Sequence, residues 1–251
     1  MVDGERIFGK GRIVVEKRII LKGHSPESKP STIGKREGPL PRTIFLLSPA
    51  DSSGIRAKML FSPKAQSGLA QRLRHSGATL GEVYSFISGL YFRGKLAYAE
   101  RFKNPTPGIA GVHVITAAAG LLLPQALVTL PRLRRISATR VDPANPDYRR
   151  PLDRDALRLR ALLEPHTQVV LLGSIATPKY VLPLLEVFRE RLLFPKDFAG
   201  RGDMSRGSLL LRCCSRGVPL EYAPVVSLHR GPRLPKLGGS SRRGYPGELE
   251  P

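Results

Sequence analysis

The segment Thr167-Gln168-Val169-Val170-Leu171-Leu172-Gly173-Ser174-Ile175-Ala176-Thr177-Pro178-Lys179-Tyr180 decides the fold. Its apolar run, Val169 to Leu172, is short, β-branched at its start and closed by Gly173-Ser174, the pattern of a strand buried on both faces. Thr177 offers a helix N-cap and Pro178 suits the first helical position, so the segment reads as strand, turn and helix start. Such a turn aims backbone N–H groups and a positive helix end into the space beyond the strand, where a phosphate or carboxylate can bind. A plain strand-to-helix connection needs the same residues.

Working outward, Thr43 to Leu47 is a second compact apolar strand, followed by the polar turn Ser48 to Gly54. Val112 to Thr116 is a third, ending at Ala117-Ala118-Ala119-Gly120, and Tyr222 to Val226 supplies one more. Between them, Leu60 to Arg74 reads as a short amphipathic helix. Thr79-Leu80-Gly81-Glu82 matches a capping box, and Leu80, Val83, Tyr84, Ile87 and Leu90 follow at helical spacing. Gly89 and Gly94 sit inside that stripe and predict a break or a close backbone approach near Ser88-Gly89. Pro131 to Arg150 reads as a basic connection and Asp153 to Leu163 as a helix. After Thr177, Pro183 kinks the next helix or marks its start. The prediction is an α/β fold: a single three-layer domain with a mostly parallel sheet over residues 42–226. Flexible, disordered basic tails are expected at 1–41 and 227–251.

The formal charge of +21 predicts attraction to polyanions, nucleic acid first. It is not confined to the tails, because residues 43–226 hold 26 basic against 13 acidic side chains. A solvated basic surface of compositional origin gives the same count. Cys213 and Cys214 are the only cysteines and are adjacent, which excludes a disulfide framework and predicts buried free thiols. No histidine stands at ligand spacing from them, so no metal site and no cofactor is implied. The early Asp3 and Glu5 argue against a secretory leader. Val114 to Leu130 is interrupted by Gly120 and Pro124, which favours a strand and turn over a membrane span. A cytoplasmic protein without membrane contact is expected. Gly9-Lys10-Gly11-Arg12 has neither the preceding strand nor the spacing of a phosphate loop.

Loops at the carboxyl ends of strands in an open α/β sheet are where ligands bind. Ser48, Asp51 and Arg56 are candidates on that ground, although Pro, Asp, Ser and Gly occur in such loops for conformational reasons alone. Tyr91, Arg93 and Lys95 place a ring and two cations beside the break at Gly89, suited to a base and a phosphate; the alternative is a core tyrosine with solvated cations. Arg201-Gly202-Asp203-Met204-Ser205-Arg206 is a glycine-rich loop entering a helix, with two guanidinium groups for oxyanion contacts, and Asp203 serves as a base or holds an arginine. In the bland reading, Asp203 or Ser205 is a cap. The Arg-Gly-Asp triplet invites an integrin reading, which the expected location argues against. Arg132, Arg134 and Arg135 form the densest basic cluster in the middle of the chain.

Three stretches carry a family likeness: Phe45-Leu46-Leu47-Ser48-Pro49-Ala50, Gly89-Leu90-Tyr91-Phe92-Arg93-Gly94-Lys95-Leu96-Ala97-Tyr98-Ala99, and Val114-Ile115-Thr116-Ala117-Ala118-Ala119-Gly120-Leu121. In that order, over about residues 43–125, they resemble small bacterial α/β domains of unknown function found near genes for 7-deazaguanine and other nucleobase modification. Where those domains carry Cys and Lys after the first strand, this chain has Asp51-Ser52-Ser53 and Ile55. That departure puts thiol- or lysine-dependent chemistry in doubt, and the resemblance implies a nucleobase- or nucleotide-related pocket, not a defined reaction.

Two functions are expected from these residues. One is a nucleoside, nucleotide or nucleobase pocket formed by Ser48, Asp51, Tyr91, Arg93, Gly173, Ser174, Arg201 and Arg206. Asp51 or Asp203 then stabilises the positive charge that develops on a sugar when its glycosidic bond breaks. The other is a non-catalytic nucleic-acid-binding protein that uses Arg132, Arg134, Arg135 and the tails.

Overall fold

The computed structural model describes residues 40–226, so nearly all of both expected tails lies outside the described residues. In chain order the elements are β1 (Thr43–Leu47), α1 (Ile55–Phe61), α2 (Gly68–His75), β2 (Ala78–Thr79), α3 (Leu80–Ser88), α4 (Leu90–Phe102), β3 (Val112–Ile115) and β4 (Leu121–Leu122). They continue with β5 (Leu127–Val128), α5 (Leu130–Ala138), α6 (Pro146–Leu162), β6 (Gln168–Leu172), α7 (Pro178–Phe188), β7 (Leu192–Pro195), α8 (Asp203–Arg216) and β8 (Tyr222–Pro224).

The main sheet runs β4-β3-β1-β6-β7-β8. Its inner strands β3, β1, β6 and β7 are parallel, with Phe45 opposite both Val112 and Val170, and the short edges β4 and β8 pair antiparallel. Ile44 to Leu47 and Val169 to Leu172 are all 0% exposed, which requires a helical layer on each face of the sheet. Helix α4 packs along α8 and against β1, while α6 packs along α7. The expected α/β architecture is thus present.

Local chemistry explains the element ends. Thr79 Oγ1 accepts from the Glu82 N–H at 3.3 Å and caps α3. Gly89, at φ +61°, both ends α3 and begins α4, a conformation open to glycine at little cost. A Cβ on Gly94 would lie 2.8 Å from the Gly207 carbonyl oxygen, so α4 and α8 cross at glycines on both sides.

Some expectations need correction. The single helix expected over Leu60 to Arg74 is two helices, because Pro63 forces Ser62 into an extended conformation at the end of α1. The connection expected over Pro131 to Arg150 contains α5 and the start of α6. Pro131 and Pro146 occupy first-turn positions, where the missing N–H has no partner to lose. Pro183 lies inside α7, which starts at Pro178. Cys213 and Cys214 are half-buried rather than buried, and desolvation raises both thiol pKa values. The stretch from Val114 to Leu130 holds the end of β3, β4 and β5, and among the described residues no helix is long and apolar enough to cross a membrane.

The α8–β8 corner is tied to the core by Tyr98, whose hydroxyl accepts from the Leu220 N–H at 2.7 Å and lies 2.6 Å from the Tyr222 hydroxyl. Its ring meets Phe45 edge-on at 5.7 Å. Tyr98→Phe keeps the ring but leaves the buried Leu220 N–H without an acceptor, so a loss of about 1–3 kcal/mol is expected in urea unfolding. An unchanged midpoint would show that this corner is not held by the hydroxyl.

Candidate functional site

From β1 the chain crosses to β3 on one side, and later enters β6 on the other. The carboxyl ends of β1 and β6 are therefore a topological switch point, where diverging connections leave a crevice. A cavity of about 890 Å³ opens there. It is lined by Ser48 to Ser53 after β1, Ala117 after β3, Ser174 after β6, the first turn of α7, and Asp203 in the first turn of α8. Tyr84, Ser88 and Tyr91 line it from α3 and α4, and Ile136, Ser137 and residues 139–143 close it from α5 and the following loop.

At its base, Ser48 sits between a lysine and a glycine. Lys95 is 1% exposed, and its Nζ donates to the Ser48 carbonyl oxygen at 2.6 Å and to Ser48 Oγ at 2.9 Å. The same nitrogen lies 4.6 Å from the centroid of the Tyr91 ring and 5.0 Å from that of Phe92. Burial pulls Lys95 down to about 7; Asp203 opposes the shift and Arg206 adds to it. On the other side, a Cβ at Gly173 would lie 2.8 Å from the Ser48 Cβ, so that position admits no side chain without movement.

Two hydroxyls of the lining, Tyr91 Oη and Ser137 Oγ, are buried with no hydrogen-bond partner among the described residues. Tyr91 is 6% exposed, and burial pushes its phenol up to about 12. Tyr180 lines the cavity with Asp51 and Asp203; burial raises it to about 12, and the charges of both carboxylates add to the shift. The Ser53 N–H and hydroxyl, at 2.9 and 2.8 Å, hold the Asp51 carboxyl below its usual value, with Lys179 contributing. Asp203 is exposed and lies 3.7 Å from Arg206.

The structure thus brings Ser48, Asp51, Tyr91, Ser174 and Asp203 to one cavity, with Gly173 and Lys95 directly behind Ser48. Lys95 departs from both expectations for it: it is neither a free cation for phosphate nor solvated, because its stem runs inward on α4. Other candidates do not line the cavity. Arg56 reaches the Phe86 carbonyl beside Gly89, and Arg93 lies on the exposed side of α4. Arg201 donates to the Asp197 carbonyl at 2.8 Å and to Ser205 Oγ at 3.2 Å, so that pair stabilises the loop before α8. Arg206 donates to the Phe198 carbonyl and stacks over the Phe198 ring. The cap of α8 is Gly202, without a side-chain bond from Asp203 or Ser205.

Arg132, Arg134 and Arg135 lie on α5, the first two bonded to the Leu127 and Phe61 carbonyls. Sequence reasoning missed Tyr84, Tyr180, Ser137 and the Arg140–Asp142 ion pair at 3.3 Å. Only Tyr180 carried a local signal, an aromatic ring in the first turn after the switch-point strand.

Compared with known proteins, the chain matches no family model, no curated protein and no solved structure.

Proposed function

We propose that the cavity binds a nucleoside or nucleotide and that Asp51 and Asp203 act on its glycosidic bond. The observation that carries this reading is that two carboxylates, Asp51 and Asp203, line one switch-point cavity of about 890 Å³ together with Tyr180. That volume lies within the range of small-ligand sites. Tyr84, Tyr91 and Tyr180 offer aromatic surface for a base, and the hydroxyls of Tyr91 and Ser137 offer hydrogen-bonding groups that protein atoms leave unused. Breaking an N-glycosidic bond develops positive charge on the sugar, which a carboxylate stabilises most where water is excluded. The likeness of residues 43–125 to nucleobase-associated domains points the same way.

Asp203 is exposed, and its one ion-pair partner among the described residues is Arg206 at 3.7 Å, so Asp203→Ala is expected to fold normally. Release of free base from nucleosides or nucleotides, followed by chromatography, is expected to fall by about 10²-fold or more in that variant. Equal release by wild type, Asp51→Asn and Asp203→Ala would remove the carboxylates from the chemistry.

A second reading, nucleic-acid binding without catalysis, is favoured by the position of Arg132, Arg134 and Arg135 on the helix whose far end lines the cavity. It requires affinity for DNA or RNA that falls steeply with salt and does not depend on Asp203.

A further inference from the structure

We propose that Ser48 is a nucleophile and Lys95 its general base, a pair suited to attack on the carbonyl carbon of an ester. This goes beyond the nucleotide reading and does not rest on it.

The geometry is that of an activated hydroxyl. Ser48 lines the cavity at the switch point, and its Oγ lies 2.9 Å from Lys95 Nζ. Lys95 is almost wholly buried, and among the described residues no carboxylate lies within ion-pair distance of it. The same separations suit a neutral amine, with one N–H on the Ser48 carbonyl at 2.6 Å and, in the step proposed, the Nζ lone pair turned to the Ser48 hydroxyl at 2.9 Å in place of the N–H that donates to it. The groups that bear on its charge are Asp203 and Arg206 on α8 and the Tyr91 and Phe92 rings on its own helix. Desolvation outweighs them and brings the ammonium to about 7, so much of the lysine is free base at neutral pH.

Two glycines hold the arrangement. At Gly173 a Cβ would come 3.0 Å from Ser48 Oγ, so its absence leaves the hydroxyl its place. At Gly207 a Cβ would come 3.0 Å from Leu90 O and from Tyr91 Cα, so its absence lets α8 close over the first turn of α4, next to the lysine. The first turn of α7 lines the same cavity, and its cap residue Thr177 makes no side-chain bond to it. Its positive end is available to an oxyanion.

In the acylation step the Ser48 Oγ–carbon bond forms as the Oγ proton passes to Lys95 Nζ and the carbonyl π pair moves onto oxygen. On collapse the carbon–oxygen bond to the alcohol breaks, and Lys95 returns the proton to the leaving oxygen. Water then attacks the acyl-serine, giving its proton to Lys95, and the carboxylic acid leaves as Ser48 is re-protonated. The net reaction is ester plus water to acid plus alcohol.

The test treats the full chain with phenylmethanesulfonyl fluoride and locates adducts by peptide mass spectrometry. One adduct is expected at Ser48, forming faster as pH rises through about 7 and about tenfold or more slower in Lys95→Met. Ser48→Ala is expected to lose the adduct. No adduct at Ser48 at alkaline pH, or an equal rate in Lys95→Met, overturns the pair. Where Lys95→Met fails to fold, the wild-type profile decides, and a labelling rate flat across pH 6 to 9 overturns it as well. Nucleotide-induced thermal stabilisation, measured separately on Ser48→Ala, distinguishes failure of this pair from failure of the nucleotide reading.

Discussion

Between pH 7 and pH 10 the wild-type chain is expected to gain stability that the Lys95→Met variant does not. Burial lowers Lys95 from its ordinary 10.5 to about 7 in the folded state, while the unfolded chain keeps the ordinary value. In the interval between them the unfolded state holds more protons, so stability rises with pH through that window. The gain is complete above the unfolded value and absent below the folded one. A displacement of that size corresponds to at most about 5 kcal/mol, less whatever relaxation of the pocket removes. Urea midpoints at pH 7 and pH 9.5 read the effect, and other titrating groups cancel in the difference between wild type and variant. A difference that stays constant with pH would show that Lys95 is not desolvated as its position requires. At pH 7 itself, methionine is expected to be tolerated, because it replaces a buried amine that has no carboxylate partner among the described residues with an apolar chain of similar length.

Alanine at Gly94 or Gly207 is expected to destabilise the domain by about 1–3 kcal/mol, or roughly 2–4 °C in Tm per kcal/mol for a chain of this size. At Gly94 the new methyl would lie 2.8 Å from the Gly207 carbonyl oxygen, and at Gly207 it would lie 3.0 Å from Leu90 O and Tyr91 Cα. These neighbours are backbone atoms, so no side chain can swing aside and the two helices must separate. Once one methyl has opened the crossing, the second meets less resistance, and the double variant is expected to lose less than the sum. The separation also displaces Asp203 from the cavity rim, since it begins the helix that moves. An unchanged Tm in both single variants would contradict the close approach. Full additivity would contradict a shared crossing.

The sheet was legible because its strands are short apolar runs closed by small or polar residues. Val169 to Leu172 and Thr43 to Leu47 need no partner to be recognised, and Gly89 marks the break between α3 and α4, whereas the close approach at Gly94 depends on Gly207, far along the chain. Prolines misled. Pro131 and Pro146 suggest a loop, although a first-turn proline starts a helix as readily as an interior one breaks it. That error hid α5, and with it the wall of the cavity that carries Ser137 and Arg140.

The site was legible where it depends on topology. Ser48, Ala117 and Ser174 follow strands, and strand ends at a switch point converge whatever their side chains. The charged candidates fared differently because a guanidinium has several nearby carbonyls to choose from. Arg56, Arg201 and Arg206 each donate to one of them, and burial of Lys95 could not be read from a stripe interrupted by glycine.

The measurement that most directly tests the cavity's proposed role is thermal unfolding of the full chain with nucleobases, nucleosides, nucleotides, and short DNA and RNA, each at low and moderate salt. A ligand held in the cavity at about 100 times its Kd is expected to add roughly 2.7 kcal/mol, and that gain is expected to survive moderate salt. Stabilisation by polyanions alone, vanishing with salt, or by none of these compounds, would contradict a nucleoside or nucleotide site at the switch point.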